Sequence, residues 1–536
     1  MKLKLNFQKI QFELPGKSED RAIPAIVSKK QWALFVGIFI LFSVAAWGFY
    51  FQQGLTLAYN DARSHLNVAR RVVDSLQPGV AQIGSVWLPL YHVLEMPFIW
   101  QDYLWHSGIA GSVISMISYI VSGVYLVKIG TKLRLGWGAL LVTGAIYTLN
   151  PNLLFLQTAP MTESLLLCLT LAASYYVLDW AISFRATSLV LCAFFTFLAT
   201  LTRYDGWFLM AFISLAIALV AYKKKGFRFA EGTIVIYVTL AAFGIFLWFL
   251  WNLVIFGDPL YFALGEFSAK SQQDVLLSQG RLFTKGNVLY STFIYLFAVR
   301  YNLGTWLSLL TVAGCWFVTI SKKYSRDVKI ALSVLLAPLF FNILSLVAGH
   351  SVIHLPDLPP YTWFNDRYGL MLLPLAAVVI GIMVNGRKFA IILTLAVIML
   401  QIQVMYVGNR IITIEDGVRG ASGEYLDEAG NWIKDNVKEG LVLAAASSND
   451  ALLFRSGLPL KQFIVEGAKS YWEASLRDPT VYAQWIVMHK GDLVDRNIRH
   501  NPLFLANYRL VYHDNFSYVY KKDMHAAVPI SDAQLP

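Results

Sequence analysis

Apolar residues in this chain gather into repeated runs of about 20, each closed by a short polar or basic stretch. A helix rises ~1.5 Å per residue and needs about 20 residues to cross a ~30 Å hydrocarbon core, so each run predicts a membrane span. Eleven segments qualify: 32–51, 108–127, 136–156, 162–182, 187–202, 207–222, 233–255, 301–320, 329–349, 368–385 and 389–408. The fifth and sixth are short and are separated by Arg203-Tyr204-Asp205-Gly206. Polar material falls into a long first loop (52–107), a second from Gly257 to about Val288, a Pro-rich loop from His350 to Arg367, and a tail from 409. In the tail the pattern changes. Short β-rich runs at 441–443, 462–465, 485–488 and 509–512 alternate with helical stretches at 424–438 and 470–477. Alternation of this length predicts a small α/β domain with a partly parallel sheet. The expected fold is a membrane all-α bundle of about eleven transmembrane helices plus a small C-terminal α/β domain. Its divisions are an N-terminal segment 1–31, a transmembrane domain 32–408 and the tail 409–536.

Charge orients the bundle. Only 14% of the 536 residues are charged, against roughly 25% in an ordinary soluble domain, and 57% are hydrophobic. The net charge is +11, but the cations sit in clusters between apolar runs. These are residues 2–30, Lys128/Lys132/Arg134, Arg185, Lys223-Lys224-Lys225, Lys322/Lys323/Arg326/Lys329 and Arg387/Lys388. All fall on one side of the span count, which the positive-inside rule makes cytoplasmic. This placement is a topology signal and excludes a nucleic-acid-binding stripe. The N-terminus is then cytoplasmic and the tail extracytoplasmic. The three cysteines lie in apolar runs without metal-site or disulfide-framework spacing. No small-residue cleavage site follows the first run, which reads as a retained span.

The candidate chemistry lies on the outer side. The first loop opens with Tyr59-Asn60-Asp61-Ala62-Arg63-Ser64-His65. Ala62, Leu66, Ala69, Val73 and Leu76 then recur at helical spacing beside a polar stripe of Arg63, Asn67, Arg70 and Asp74, which predicts an amphipathic helix at the membrane surface. Asp61 at its start reads either as a cap for free backbone N–H groups or as a general base at the membrane face. Gly84-Ser85-Val86-Trp87-Leu88-Pro89-Leu90-Tyr91-His92 predicts a turn into a second surface helix, with His92 structural or substrate-facing. Glu163, in Pro160-Met161-Thr162-Glu163-Ser164, starts the fourth span. There an acid suits the helix dipole, or meets a partner or a watery cavity. Arg203, Asp205 and Arg367 stand at outer span ends, against the usual charge bias. They are local ion pairs or guanidinium contacts to a lipid phosphate.

Taken in order, these pieces resemble the GT-C superfamily of polytopic glycosyltransferases, over roughly residues 30–408. The resemblance rests on one span followed by a long outer loop with an early acid (Tyr-Asn-Asp-Ala-Arg), surface helices and Trp-Leu-Pro-Leu-Tyr-His. Met-Thr-Glu-Ser, Thr-Arg-Tyr-Asp-Gly-Trp, Phe-Gly-Asp-Pro-Leu-Tyr-Phe and Phe-Asn-Asp-Arg-Tyr-Gly-Leu extend it. It implies a sugar moved from a polyprenyl-phosphate donor to an acceptor lipid, glycan or protein on the outer face. Asp61 is the implied base and Glu163 a second acid. Arg63, His92, Arg203, Asp205 and Arg367 are the substrate-binding candidates. Asn60-Asp61 departs from the acidic dipeptide of several members. A divalent cation, magnesium or manganese, is therefore left open, with Asp61 and Glu163 its ligands if one is held. The alternative class is a polytopic lipid or solute transporter, or flippase.

Overall fold

The computed structural model describes residues 27–523 apart from 266, 267, 279, 409, 410, 421–424 and 500. Most of the expected N-terminal segment 1–31 lies outside the described residues. Among the described residues seven helices are long and apolar enough to cross a membrane: Lys29–Gln52, Ile109–Lys132, Thr162–Ser183, Asp205–Lys225, Arg326–Ala348, Asp366–Val384 and the run beginning at Lys388. Two bent helix pairs reach the length of a span only when each pair is taken together. Phe227–Ala241 and Phe243–Phe256 meet at 40°, and Val288–Leu303 and Thr305–Ile320 at 113°. Trp137–Thr148 and Ala186–Thr200 are apolar but shorter. The eleven expected segments are all helical, yet by length and composition they make seven to nine full crossings.

The breaks have local causes. At 136–156 the helix stops after Thr148, and the Asn150 side chain accepts from the Leu153 N–H to cap a new helix that Pro151 opens. Proline suits that first position because its missing N–H would lack a partner anyway. At 288–320 the chain turns at Gly304, whose φ of 85° favours glycine.

Enclosure separates the centre of the bundle from its exposed apolar rim. The apolar windows of Thr162–Ser183 and Asp366–Val384 are 83% and 89% buried, while that of Lys29–Gln52 is 22% buried. Leu41, Val44 and Phe49 on this last helix are exposed. At one end of the central helix, Asp179 is held by Lys132 (2.5 Å) and Arg185 (2.9 Å), and accepts from Ser188. Glu163 stands at the other end.

The C-terminal sheet has five strands: β1 (Val442–Leu443), β2 (Phe463–Ile464), β3 (Trp485–His489), β4 (Tyr508–His513) and β5 (Ser517–Lys522), in the order β2-β1-β3-β5-β4. The β2-β1-β3 half is parallel, and β3-β5-β4 is antiparallel. Successive residues of a strand point to opposite faces. Leu443, Ile464, Ile486 and Met488 fill one core, with Trp472, Val494 and Tyr508. On the opposite face, Val442, Phe463, Trp485 and Val487 pack in one core with Leu66, Ala69, Ile99 and Trp105 of the first loop.

The tail and the first loop thus share a core. The first-loop helix, Asn60–Arg71, is not a surface helix with a wet polar stripe. Asn67 is fully buried and donates to the Asp450 carbonyl oxygen. Arg70 is buried against Asp74, Asp102 and the carbonyl oxygens of Ile99 and Trp100. The tail covers Arg63, Asn67 and Asp74 of the polar stripe, and the first loop itself covers Arg70.

Candidate active site

Asp61, Ser64, Val68 and Arg71 recur at spacings of three and four, so one face of Asn60–Arg71 presents them together. That face lines a cavity of about 680 Å³. Opposite walls come from the turn 81–87, from Phe256 at the end of its helix and Tyr261 just after it, and from Ser447, Glu466, Lys469 and His489 of the C-terminal domain. The volume lies within the range of about 300–1,000 Å³ usual for small-molecule sites.

Behind Asp61 sits Arg367. Its three guanidinium nitrogens each donate to a different acid: Nη2 to Asp61 at 2.6 Å, Nε to Glu163 at 3.0 Å and Nη1 to Asp416 at 3.2 Å. Arg203 joins the same cluster through Glu163 (3.1 Å) and Asp205 (3.2 Å). Tyr368 lies beneath both guanidinium groups, and Tyr59 packs against Arg367. Two glycines permit this convergence. A Cβ on Gly369 would lie 2.3 Å from the Ala298 carbonyl oxygen, and one on Gly206 would lie 2.2 Å from that of Ala199. Only a residue without a side chain lets each arginine-bearing segment approach its neighbouring backbone so closely.

Burial divides the cluster. Glu163, Asp416 and Arg367 have side chains 1%, 2% and 5% exposed, whereas Asp61 is 38% exposed and alone of the four lines the cavity. Glu163 Oε1 accepts from both arginines, while its Oε2 has no partner among the described residues. Tyr59 donates to the Thr413 carbonyl oxygen at 2.7 Å, and burial beside Asp416 pushes its phenol well up.

The other candidates lie elsewhere. Arg63 turns away from Asp61, to the Leu57 carbonyl oxygen and to Asp427 of the C-terminal domain. His92 is fully buried, 2.9 Å from His65, with its Nδ1 unpartnered among the described residues. Burial lowers both histidines, His65 to about 4, so both imidazoles are neutral at pH 7. Glu95, one turn on, is buried with neither oxygen partnered among the described residues, and burial pushes its carboxyl well up.

Asp416 is the residue that sequence reasoning missed. It was placed in the tail, but Ile412–Arg419 packs against the membrane bundle, where Thr413 bonds to Asn152. The remaining signal was an acid one turn into a short helix directly after the last span.

Among the described residues no three His, Cys, Asp or Glu side chains gather as metal ligands. Asp61 and Glu163 share one guanidinium, which stands between them where an ion would need oxygen donors on every side.

No family model matches the chain, and no curated protein sequence matches it. Solved structures do. ArnT from Cupriavidus metallidurans bound to undecaprenyl phosphate superposes with a TM-score of 0.57 at 13% identity, over 94% of this chain and 100% of that one. Its apo form gives 0.55 at 13% identity, over 93% and 98%. The archaeal oligosaccharyltransferase AglB from Archaeoglobus fulgidus, in complex with an inhibitory peptide and a dolichol-phosphate, gives 0.46 at 12% identity, over 94% and 75%. The fold of this multi-pass membrane protein is that of ArnT, the GT-C fold.

Proposed function

We propose that this chain is an integral membrane glycosyltransferase. It moves a sugar from a polyprenyl-phosphate donor to an acceptor hydroxyl at the pole that holds Asp61, the outer face by the charge rule. The observation that carries the reading is Asp61 itself: a carboxylate open to a cavity and fixed from behind by Arg367 at 2.6 Å. Likeness of fold to a structure holding undecaprenyl phosphate supports the donor class.

In the proposed step Asp61 takes the proton of the acceptor hydroxyl as its oxygen attacks the anomeric carbon. A C–O bond forms on one face while the bond to the phosphate oxygen breaks on the other. The electron pair leaves with the polyprenyl phosphate, and the centre inverts. Arg203, the more exposed of the two arginines of the cluster (19% against 5%), is the one assigned to the leaving phosphate's charge. Arg367, with its guanidinium given to three acids, is a positioning residue that orients Asp61.

A transporter fits less well. Transporter sites lie near the bilayer midplane between broken helices, whereas this cavity is walled by the first loop and the C-terminal domain. The test is incubation of purified protein in lipid nanodiscs with a radiolabelled polyprenyl-phosphate sugar and envelope lipid, glycan and protein fractions. A new labelled glycosidic product is expected, and Asp61→Asn should lower its rate by about 10²–10⁴-fold, the usual worth of a general base. Parent-rate transfer by a correctly folded Asp61→Asn protein would falsify the assignment, and movement of label without a new bond would favour the transporter.

A further inference from the structure

Three separate chain segments of the C-terminal domain meet the cavity, and each follows one of the three parallel strands. Ala446, Ser447 and Ser448 follow β1, Val465, Glu466, Gly467 and Lys469 follow β2, and His489 closes β3. In open parallel sheets the carboxyl ends of the strands hold ligands, at the crevice where neighbouring connections leave in opposite directions. Here β1 has β2 on one side and β3 on the other, so its carboxyl end is that crevice. It faces the wall that carries Asp61, across one continuous space.

The charge of this wall is specific. Ala446–Ser456 begins at the crevice, and an exposed helix N-terminus of this kind binds anions. The protein has filled that place with its own carboxylate. Glu466 accepts from the Ala446 N–H at 2.8 Å, from the Ser447 N–H at 3.1 Å and from the Ser447 hydroxyl at 2.7 Å. Of the other charged groups on the cavity, Asp450 is matched by Arg71 at 2.6 Å, and Asp61 shares Arg367 with Glu163 and Asp416. That leaves Glu466 and Glu473 against Lys469, an acidic wall in a chain whose net charge is +11. Between the charges stand hydroxyls and indoles: Ser447 and Ser448, Trp472 at the edge of the sheet core and, from the first loop, Trp87. Ring faces take the apolar C–H face of a sugar, and the polar groups around them take its hydroxyls.

We infer that this strand-end wall is the acceptor subsite, and that the acceptor group it holds is an uncharged glycan, presented by the C-terminal domain with one hydroxyl towards Asp61. The subsite rests on the transfer reading above and adds the acceptor class to it. A phosphorylated or acidic sugar is refused, because Glu466 already occupies the anion position and Glu473 stands beside it.

Binding measured without donor separates this inference from the transfer reading, since no step at Asp61 is needed. The experiment is saturation-transfer NMR on the full chain in neutral-lipid nanodiscs. Its probes are the methyl glycosides of glucose, galactose, mannose and N-acetylglucosamine, their 6-phosphates, and a Ser/Thr-rich peptide. At least one neutral glycoside should bind, with its 6-phosphate about tenfold weaker or more. Ser448→Trp places a large side chain in the crevice from an exposed position and should abolish that binding. Glu473→Ala, also at an exposed position, should narrow the gap between neutral and phosphorylated probes. Glu466→Gln keeps a hydrogen-bond acceptor at the helix start and removes the charge, so it should narrow the gap further. The inference is overturned if no neutral glycoside binds, if the 6-phosphate binds equally well, if Ser448→Trp binds as the parent does, or if only the peptide binds. Loss of transfer in Asp61→Asn with glycoside binding intact supports both readings separately.

Discussion

Glu163 and Asp179 stand at opposite ends of one buried helix, and each is held by two cations, but the two ends are built differently. At Asp179 one acid takes Lys132 and Arg185, whose side chains are 27% and 59% exposed. The acid is saturated, and its partners reach solvent. At Glu163 four acids (Asp61, Glu163, Asp205 and Asp416) share two guanidinium groups, Arg203 and Arg367. Acid is in excess there, and one of the four opens to a cavity. A buried ion pair is therefore a poor marker of a site by itself. The marker is surplus charge of one sign, fixed from behind and open in front.

The strongest way to break this contrast is to remove Arg367. Arg367→Met leaves Glu163 and Asp416 buried without their shared partner, and breaking such a buried network costs about 3–5 kcal/mol. Thermal unfolding of the detergent-solubilised protein should show the loss, together with loss of any transfer activity. If the variant melts with the parent, the cluster is not the buried network described.

Next comes the close approach that places Arg367. Gly369→Ala sets a Cβ against the backbone of Ala298, which cannot withdraw as a side-chain tip would. Overpacking of this kind costs about 1–3 kcal/mol. Gly136→Ala, whose Cβ would find only the Asn385 side chain at 3.5 Å, supplies the comparison and should melt close to the parent. Equal melting of the two alanine variants would refute the packing argument.

How much of this was legible beforehand follows from the range of each signal. Spans are written in local composition, so all eleven apolar segments are helical; their breaks at Asn150-Pro151 and Gly304 are equally local and went unweighted. The strands β1 to β4 were marked by β-rich runs, whereas β5, Ser-Tyr-Val-Tyr-Lys-Lys, mixes polar and aromatic residues and was missed. Among the site candidates, Asp61, Glu163, Arg203, Asp205 and Arg367 do come together. Sidedness found them, because residues at the same ends of successive spans are neighbours whatever their separation in the chain. Arg63 looked equivalent by that criterion, yet it points to Asp427, because position along a helix does not say which face the tail will cover. Asp416 and the cavity wall after β1, β2 and β3 were invisible for the same reason. Each depends on how the tail docks, and docking leaves no periodic trace.

A smaller effect separates the first loop from the rest of the fold through acid. An unfolded histidine titrates near 6.5, and His65 in the fold near 4. The unfolded chain therefore binds the extra proton between those values, and stability is lost as pH falls from about 6.5 towards 4. By pH 5 the loss from His65 is about 2 kcal/mol, from 1.36 kcal/mol per unit. His65→Phe should flatten the melting-temperature profile over that window, while an unchanged slope would show that His65 is not the titrating group.

The least disruptive substitution tests the other end of the comparison. Asp179→Asn keeps the shape of the side chain and a group for Ser188 to bond, and it frees Lys132 and Arg185 to turn to water. Exposed cations pay little for losing a partner, so the cost should be about 1 kcal/mol or less. Transfer activity should be unchanged, because Asp179 lies at the far end of the helix from Glu163 and lines no part of the cavity. The two ends then differ in kind as well as size: Arg367→Met removes both stability and transfer, and Asp179→Asn trims only the first. A large loss of transfer in a well-folded Asp179→Asn protein would mean that the two ends are coupled through the helix, and the acid-excess criterion would no longer separate a site from a structural lock.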